Sequence, residues 1–475
     1  MSDANADLCF TPAAELAARI RKKELSPVAL TRAYLDRIDR LDGTLSAYIT
    51  VCRESALAEA GRAEQAVARG ERLGPLHGVP FAVKDQIDAA GVLTTAGSRL
   101  LRENVAASDA PVVARMRRAG AILLGKLNLT EFALGGTLDF PYGQPRNPWN
   151  VAHDPGGSSS GSGIAAAAAL AAVTLGEDTG GSIRSPASSC GAVGLRPTWG
   201  LVPRTGCIPL CWSMDAIGPI TRTVEDAALV LAAIAGPDPS DPQMRDAPPD
   251  DVLTGLRAGV DGLRVGIVRE LVSGADTNPD VRAAVLAAAE QLRELGAKVE
   301  EISLPLVRLA GAVFMALGDS EGAGAHQVWL RERASEYDAA TRRRLIAASL
   351  LPTASYHQAA RARALITRDV LAAFARVDIL LAPTQPRPAP VIASGHAPVA
   401  SKADAAARFF TRRSYTTPFN LSATPAISVP CGFGPSGLPI GLQLAGRRYD
   451  DATVLRAAWA YEQATSWHQQ RPALA

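Results

Sequence analysis

Hydrophobic positions along the chain change their period near residue 76. Over the first 60 residues they recur at helical spacing: Val28, Leu30, Tyr34, Leu35, Ile38 and Leu41 follow Ser26 in that rhythm. Thr11-Pro12 and Ser26-Pro27 each set a hydroxyl residue before a proline, the pairing of an N-cap with a first helical position. Two helices are therefore expected within about 10–65. From Leu76 the apolar runs become short and are closed by polar residues or glycine. Residues 79–83, 121–124, 265–268, 379–381, 426–429 and 440–444 are expected to be buried strands. Helical patterns lie between several of them, such as 280–295 with Gly296 as its stop. Strands alternating with helices predict an α/β sandwich around a largely buried sheet.

Residues 236–250 contain five prolines and almost no large apolar side chain, so they cannot pack a core. Strand-like runs on both sides look equally buried, which favours a surface loop over a domain boundary. The chain is then one domain over 1–475. Its parts are N-terminal helices (about 10–65), a central portion (about 75–235), and a C-terminal part of the same sheet (about 260–475).

Composition narrows the partners. The 49 basic and 47 acidic residues leave a net charge of +2, which gives no electrostatic reason to expect nucleic acid or an anionic membrane. The polar, acidic start Met1-Ser2-Asp3-Ala4-Asn5-Ala6-Asp7 is unlike a secretory signal. The most apolar run, 164–175, is Ala-rich and too short to span roughly 30 Å of hydrocarbon. A cytoplasmic protein is the expectation. The six cysteines are scattered; Cys207 and Cys211 lack a second ligand pair, so free thiols are expected and no metal.

Three stretches carry candidate chemistry. Gly78-Val79-Pro80-Phe81-Ala82-Val83-Lys84-Asp85 is an apolar strand ending on a lysine. Burial disfavours a charged amine, and a neutral amine is a competent base, although a lysine at a strand end can equally snorkel to solvent. Pro155-Gly156-Gly157-Ser158-Ser159-Ser160-Gly161-Ser162-Gly163 leads into an Ala-rich segment read as a helix. Such a turn could cradle phosphate, but it lacks the Gly-Lys-Ser/Thr of a P-loop. It also fits G-x-S-x-G with Ser159 as nucleophile, although no strand directly precedes it. Gly176-Glu177-Asp178-Thr179-Gly180-Gly181-Ser182-Ile183-Arg184 places two glycines before a serine. That arrangement can aim backbone N–H groups at one point, or simply make a turn.

Taken together, these stretches resemble the amidase-signature family. So do Gly125-Lys126-Leu127-Asn128, Cys190-Gly191-Ala192-Val193-Gly194-Leu195-Arg196-Pro197-Thr198, Asp215-Ala216-Ile217-Gly218-Pro219-Ile220 and Pro425-Ala426-Ile427-Ser428-Val429-Pro430. The lead serines of the two Gly-Gly-Ser runs, Ser158 and Ser182, stand 24 residues apart, as in the family pattern. The resemblance implies a single domain with a central mixed, twisted sheet covered by helices. It implies Lys84 as base, Ser158 as a bridging serine after a cis peptide, and Ser182 as the nucleophile that forms an acyl-enzyme. It also implies Thr179, Gly180, Gly181 and the Ser182 amide as oxyanion hole, Ser159, Asp178 and Arg184 as support (Arg184 alternatively meeting substrate), and no cofactor. Tyr142, Trp149, Ile208 and Trp212 are candidate pocket liners on the same basis, or ordinary packing aromatics.

The expected reaction is hydrolysis of a small-molecule amide by water, with ester cleavage as a corollary. The segment from Phe140 to Trp149 resembles that of carbamate-hydrolysing members. The main alternative inside the family is the glutaminase subunit of a tRNA-dependent amidotransferase, which feeds ammonia to a partner. Outside it stand a Ser-His-Asp hydrolase using Ser159 with His326, His357, His396 or His468, and a binding protein that has lost catalysis. Oligomeric state is not legible, and a homodimer is carried as an open alternative.

Overall fold

The computed structural model describes residues 3–244, 249, 251–392, 401–406 and 410–474. Four helices lead the chain, twice the number expected: Asp3–Phe10, Ala13–Arg21, Pro27–Leu45 and Arg53–Arg69. Ser26 caps its helix as read, its hydroxyl accepting from the Ala29 N–H at 3.1 Å. Thr11 caps nothing, because its hydroxyl donates back to the Asp7 carbonyl. The Asp226 carboxylate instead takes the amides of Ala13 and Ala14, both at 3.0 Å. A cap supplied from 213 residues away leaves no local sequence signal.

Eleven strands form one sheet: β1 (Tyr48–Val51), β2 (Pro80–Lys84), β3 (Ile122–Leu127), β4 (Val173–Glu177), β5 (Val193–Arg196), β6 (Ile217–Thr221), β7 (Arg264–Val268), β8 (Lys298–Ile302), β9 (Ile379–Pro383), β10 (Ala426–Phe433) and β11 (Pro439–Ala445). Their order is β1-β3-β2-β4-β6-β5-β10-β11-β9-β7-β8. Parallel pairs β3/β2, β2/β4, β9/β7 and β7/β8 coexist with antiparallel ones, so the sheet is mixed. Strands β10 and β11 sit between β5 and β9, so the segment around 236–250 connects parts of one sheet. Residues 236–244 form no helix or strand, while 245–248 and 250 lie outside the described residues.

All six expected strands are present, and five more were not foreseen. The difference at β4 has a clear cause. The Ala-rich run from Ile164 was read as helix, but the helix Ser160–Ala167 stops, Ala169 turns with φ 51°, and β4 begins at Val173. Every residue from Ser159 to Thr179 is buried, so no polar face marks either period. Strand β8 fails for the opposite reason: it is an edge strand, largely exposed, with two consecutive glutamates. The helix Pro279–Glu294 ends before Gly296, whose φ is 97°, as its sequence implies.

The parallel register of β2 and β4 positions the site. Phe81, Ala82 and Val83 lie opposite Val173, Thr174 and Leu175. Both strands therefore end at the same edge, with Lys84 and Glu177 as their last residues. No described helix is long and apolar enough to cross a membrane.

Candidate active site

Lys84 is fully buried at the end of β2. Its Nζ lies 2.8 Å from Ser158 Oγ, 3.3 Å from the Glu177 carbonyl and 3.2 Å from Glu177 Oε2. Ser158 follows a cis peptide bond after Gly157 and is itself 2% exposed. The next residue, Ser159, ties the turn to the end of β4: its hydroxyl donates to the Glu177 carbonyl at 3.2 Å and accepts the Glu177 amide at 3.3 Å. Its own amide donates to the Ser182 carbonyl at 3.3 Å. Ser159 is thus fully engaged in holding the Ser158 and Ser182 loops together, and it is not a free nucleophile.

Ser182 is half-buried and the most accessible of these three serines. It lines a cavity of about 430 Å³ together with Ser158, Gly157, Thr179, Gly180 and Gly181. Its hydroxyl makes no hydrogen bond among the described residues, so it is free to meet a ligand. Gly181 has φ 116°, and a Cβ there would lie 2.5 Å from Thr416 Oγ1, so only glycine serves at that corner. The Gly181 amide does not face the cavity, because it donates to Asp178 Oδ1 at 2.7 Å. This corrects one member of the expected oxyanion hole: Gly181 supplies the turn, while the amides of Thr179, Gly180 and Ser182 have no partner among the described residues. The Thr179 side chain is also committed, lying 2.6 Å from Glu177 Oε1 and 2.7 Å from Asp215 Oδ1.

Asp178 and Arg184 hold this loop from behind. Burial alone would raise the Asp178 carboxyl, but Arg184 and Arg196 beside it keep it well below the usual carboxylate range. Arg184 also donates to the Thr416 carbonyl at 3.0 Å, Gln443 Oε1 at 2.6 Å and Asn420 Oδ1 at 2.7 Å. It is completely buried and lines no part of the cavity, so of the two expected roles it supports rather than meets a ligand. Asp215 is buried beside Glu177, and both effects push its carboxyl up to about 8.

None of Tyr142, Trp149, Ile208 and Trp212 lines the cavity. The Tyr142 hydroxyl donates to the Ser98 carbonyl at 3.2 Å, and Trp149 Nε1 donates to the Cys190 carbonyl at 2.6 Å while its ring packs on Phe433. Ile208 packs against the core and its carbonyl accepts from Gln86, whereas Trp212 is 54% exposed. Neighbours that sequence reasoning passed over form the wall instead: Leu134, Leu138, Phe140 and Leu210, with Phe314 and Arg344 from far along the chain. Phe140 opens the segment to Trp149 already singled out for its resemblance, whereas Phe314 and Arg344 carried no local signal.

Among the described residues no histidine attends Ser159. His326 is buried, its Nδ1 2.8 Å from the Tyr337 hydroxyl, and burial lowers it to about 4. His396 lies outside the described residues. Among the described residues no cluster of His, Cys, Asp or Glu could hold a metal ion, and all six cysteines are free.

Comparison with known proteins places this geometry. Residues 29–455 match the Amidase family. A glutamyl-tRNA(Gln) amidotransferase subunit from Moorella thermoacetica is 41% identical over 98% of this chain and 99% of its own. Two solved structures align with a TM-score of 0.88. One is a chain of a vestigial protein complex bearing on the evolutionary origins of an s-triazine catabolic enzyme, 35% identical over 95% of this chain and 98% of that one. The other is a bacterial aryl acylamidase of the amidase-signature family, 27% identical over 97% of each chain. The expectation of a small-molecule partner alone, with no nucleic acid in view, is corrected by the first of these: an end-to-end relative is one subunit of an enzyme named for a tRNA. Near-neutral net charge misled because it reports the whole surface of one chain and says nothing of what a complex handles. The chain belongs to the amidase family of the amidase-signature type, hydrolases that act on carbon–nitrogen bonds.

Proposed function

We propose that the chain is the ammonia-releasing amidase subunit of a tRNA-dependent amidotransferase, taking glutamine as its amide. The observation that carries this reading is the 41% identity to the Moorella amidotransferase subunit, which spans essentially both whole chains. The cavity is compatible with it. Arg344 and Arg413 line the same cavity as Ser182 and are cations that could meet the carboxylate of an amino acid amide, although Arg344 also pairs with Asp319 at 2.6 Å. A cytoplasmic site of action accompanies this reading.

In the proposed mechanism neutral Lys84 takes a proton from Ser158 Oγ, Ser158 takes one from Ser182 Oγ, and Ser182 attacks the amide carbon. The free amides of Thr179, Gly180 and Ser182 receive the oxyanion, a contact worth roughly 3–4 kcal/mol per donor. Ser158 then protonates the leaving nitrogen, and Lys84 returns its proton to Ser158. Water repeats the relay on the acyl-enzyme and frees the acid.

A second reading is a stand-alone amidase, favoured by the 0.88 TM-score to an aryl acylamidase. Ester or carbamate cleavage would accompany that reading. Ammonia or amine release by the purified chain separates the two, with glutamine, aliphatic amides, anilides and aryl carbamates as substrates and Ser182→Ala as the blank. Little turnover of glutamine until partner proteins are added is the expected result. Efficient turnover of an anilide or carbamate by the chain alone, unchanged by partners, would overturn the subunit reading.

A further inference from the structure

Lys84 does not face Ser158 alone. On its other side lies a closed group of polar side chains: Glu177, Thr179, Asp215 and Gln86, all buried. Glu177 uses both carboxyl oxygens. Oε2 lies 3.2 Å from Lys84 Nζ and 3.4 Å from Gln86 Nε2, and Oε1 lies 2.6 Å from Thr179 Oγ1. Thr179 Oγ1 is in turn 2.7 Å from Asp215 Oδ1. A hydroxyl carries one proton and can donate to only one of these two carboxyl oxygens. The other contact is a hydrogen bond only if that carboxyl is itself protonated and donates to Thr179. Burial and the neighbouring Glu177 charge push the Asp215 carboxyl up, while three contacts from the amides of Leu210 and Cys211 fix its orientation and oppose part of that rise.

Lys84 Nζ and Glu177 Oε2, 3.2 Å apart and both fully buried, form an ion pair with no net charge. A lysine in that state is an ammonium and cannot accept a proton from Ser158.

We propose that Glu177 is a positioning residue that acts through Lys84, holding it as an ammonium at rest and taking its proton when the base is needed. The inference rests on the Ser182–Ser158–Lys84 reading above. In the step itself one Nζ–H bond of Lys84 breaks and a Glu177 Oε2–H bond forms across 3.2 Å, leaving an amine and a carboxylic acid. The pair stays neutral overall, so no isolated charge is left in the low-dielectric interior. Rotation about Cε–Nζ then turns the lone pair toward Ser158 Oγ, 2.8 Å away. The proton stays on Glu177 while Lys84 cycles through acylation and deacylation.

The neighbouring charges are few and fixed. Cys207, half-buried and pushed up chiefly by desolvation, is a neutral thiol beside Gln86. Asp178 pairs with Arg184 and Arg196, and Arg196, which also donates to the Met214 carbonyl at 2.9 Å, is the cation that feels the Glu177 and Asp215 charges. A second cavity of about 190 Å³ has Glu177 and Asp215 in its wall and shares no wall residue with the one at Ser182.

The test uses the rate at which a fluorophosphonate labels Ser182, followed from pH 5 to pH 10, which needs no knowledge of the substrate. Glu177→Gln removes the counter-charge, so a buried amine stays neutral to lower pH. The rising limb of the rate should move at least one pH unit to the acid side of wild type. Glu177→Asp keeps the charge but withdraws it by one methylene, and should move the limb the same way by less; it also serves if the glutamine variant fails to fold. A limb that coincides with wild type in either folded variant, or moves to the alkaline side, would overturn the proposal. Labelling that persists in Ser182→Ala would instead overturn the reading of the site on which it rests.

Discussion

Arg184 grips Asp178 at two points, with Nε on Oδ2 at 3.0 Å and Nη2 on Oδ1 at 3.1 Å, and neither side chain is exposed to solvent. The pair fastens the loop carrying Ser182 to the helix that follows it, and Asn420 and Gln443 extend the grip into the C-terminal part of the sheet. Arg184→Met should therefore cost roughly 3–5 kcal/mol, because it leaves a buried carboxylate short of its main partner. Urea unfolding would read this directly. Asp178 is held below its unfolded value, so its contribution is present above about pH 4 and is lost as pH falls through the folded value. The difference between variant and wild type should shrink on acidification below about pH 4.

Ser182→Ala should abolish covalent labelling by a fluorophosphonate. Lys84→Ala should keep the label site but slow turnover by about 10²–10⁴, the usual contribution of a general base. A Lys84→Ala enzyme with more than about a tenth of wild-type activity would make Lys84 a structural residue.

Gly181→Ala should fold less stably and lose activity by more than about 10², since the φ of 116° and the contact with Thr416 both oppose a side chain. Combining it with Thr416→Ser removes one of the opposing atoms while the backbone strain stays. The double variant should regain part of the stability, as read by thermal unfolding, but little of the turnover.

Two buried carboxyls should make stability decline as pH rises from about 4 to about 8. Asp215 and Glu462 are both buried carboxyls raised to about 8. A raised carboxyl stabilises the fold fully below its unfolded value near 4, and that contribution is lost as pH rises through about 8. Thermal midpoints should therefore fall between about pH 4 and pH 8. Glu462→Gln, which keeps an acceptor for the Val224 amide now 2.9 Å from Glu462 Oε1, should flatten that decline. An identical slope in the variant would remove Glu462 from the account.

The sequence by itself determined those features whose cause lies within a few residues. Apolar runs bounded by glycine or charge gave β2, β3, β7, β9, β10 and β11, and the Ser26-Pro27 cap gave its helix. Lys84, Ser158 and Ser182 stood out through the resemblance of their three segments to one family, and the contact of Lys84 Nζ with Ser158 Oγ at 2.8 Å joins two of those segments. Tertiary structure decided what depends on residues distant in sequence. The parallel alignment of β2 with β4 brings Glu177 to Lys84, and the fold alone brings Asp215 to Thr179, although each residue is unremarkable in its own segment. The cap from Asp226 and the cavity wall from Phe314 and Arg344 are of the same kind. So is the commitment of the Gly181 amide to Asp178, which the two glycines left open. Such contacts are fixed by which strands are neighbours, and strand order is set by burying the whole sheet at once, a condition that no local window of sequence contains.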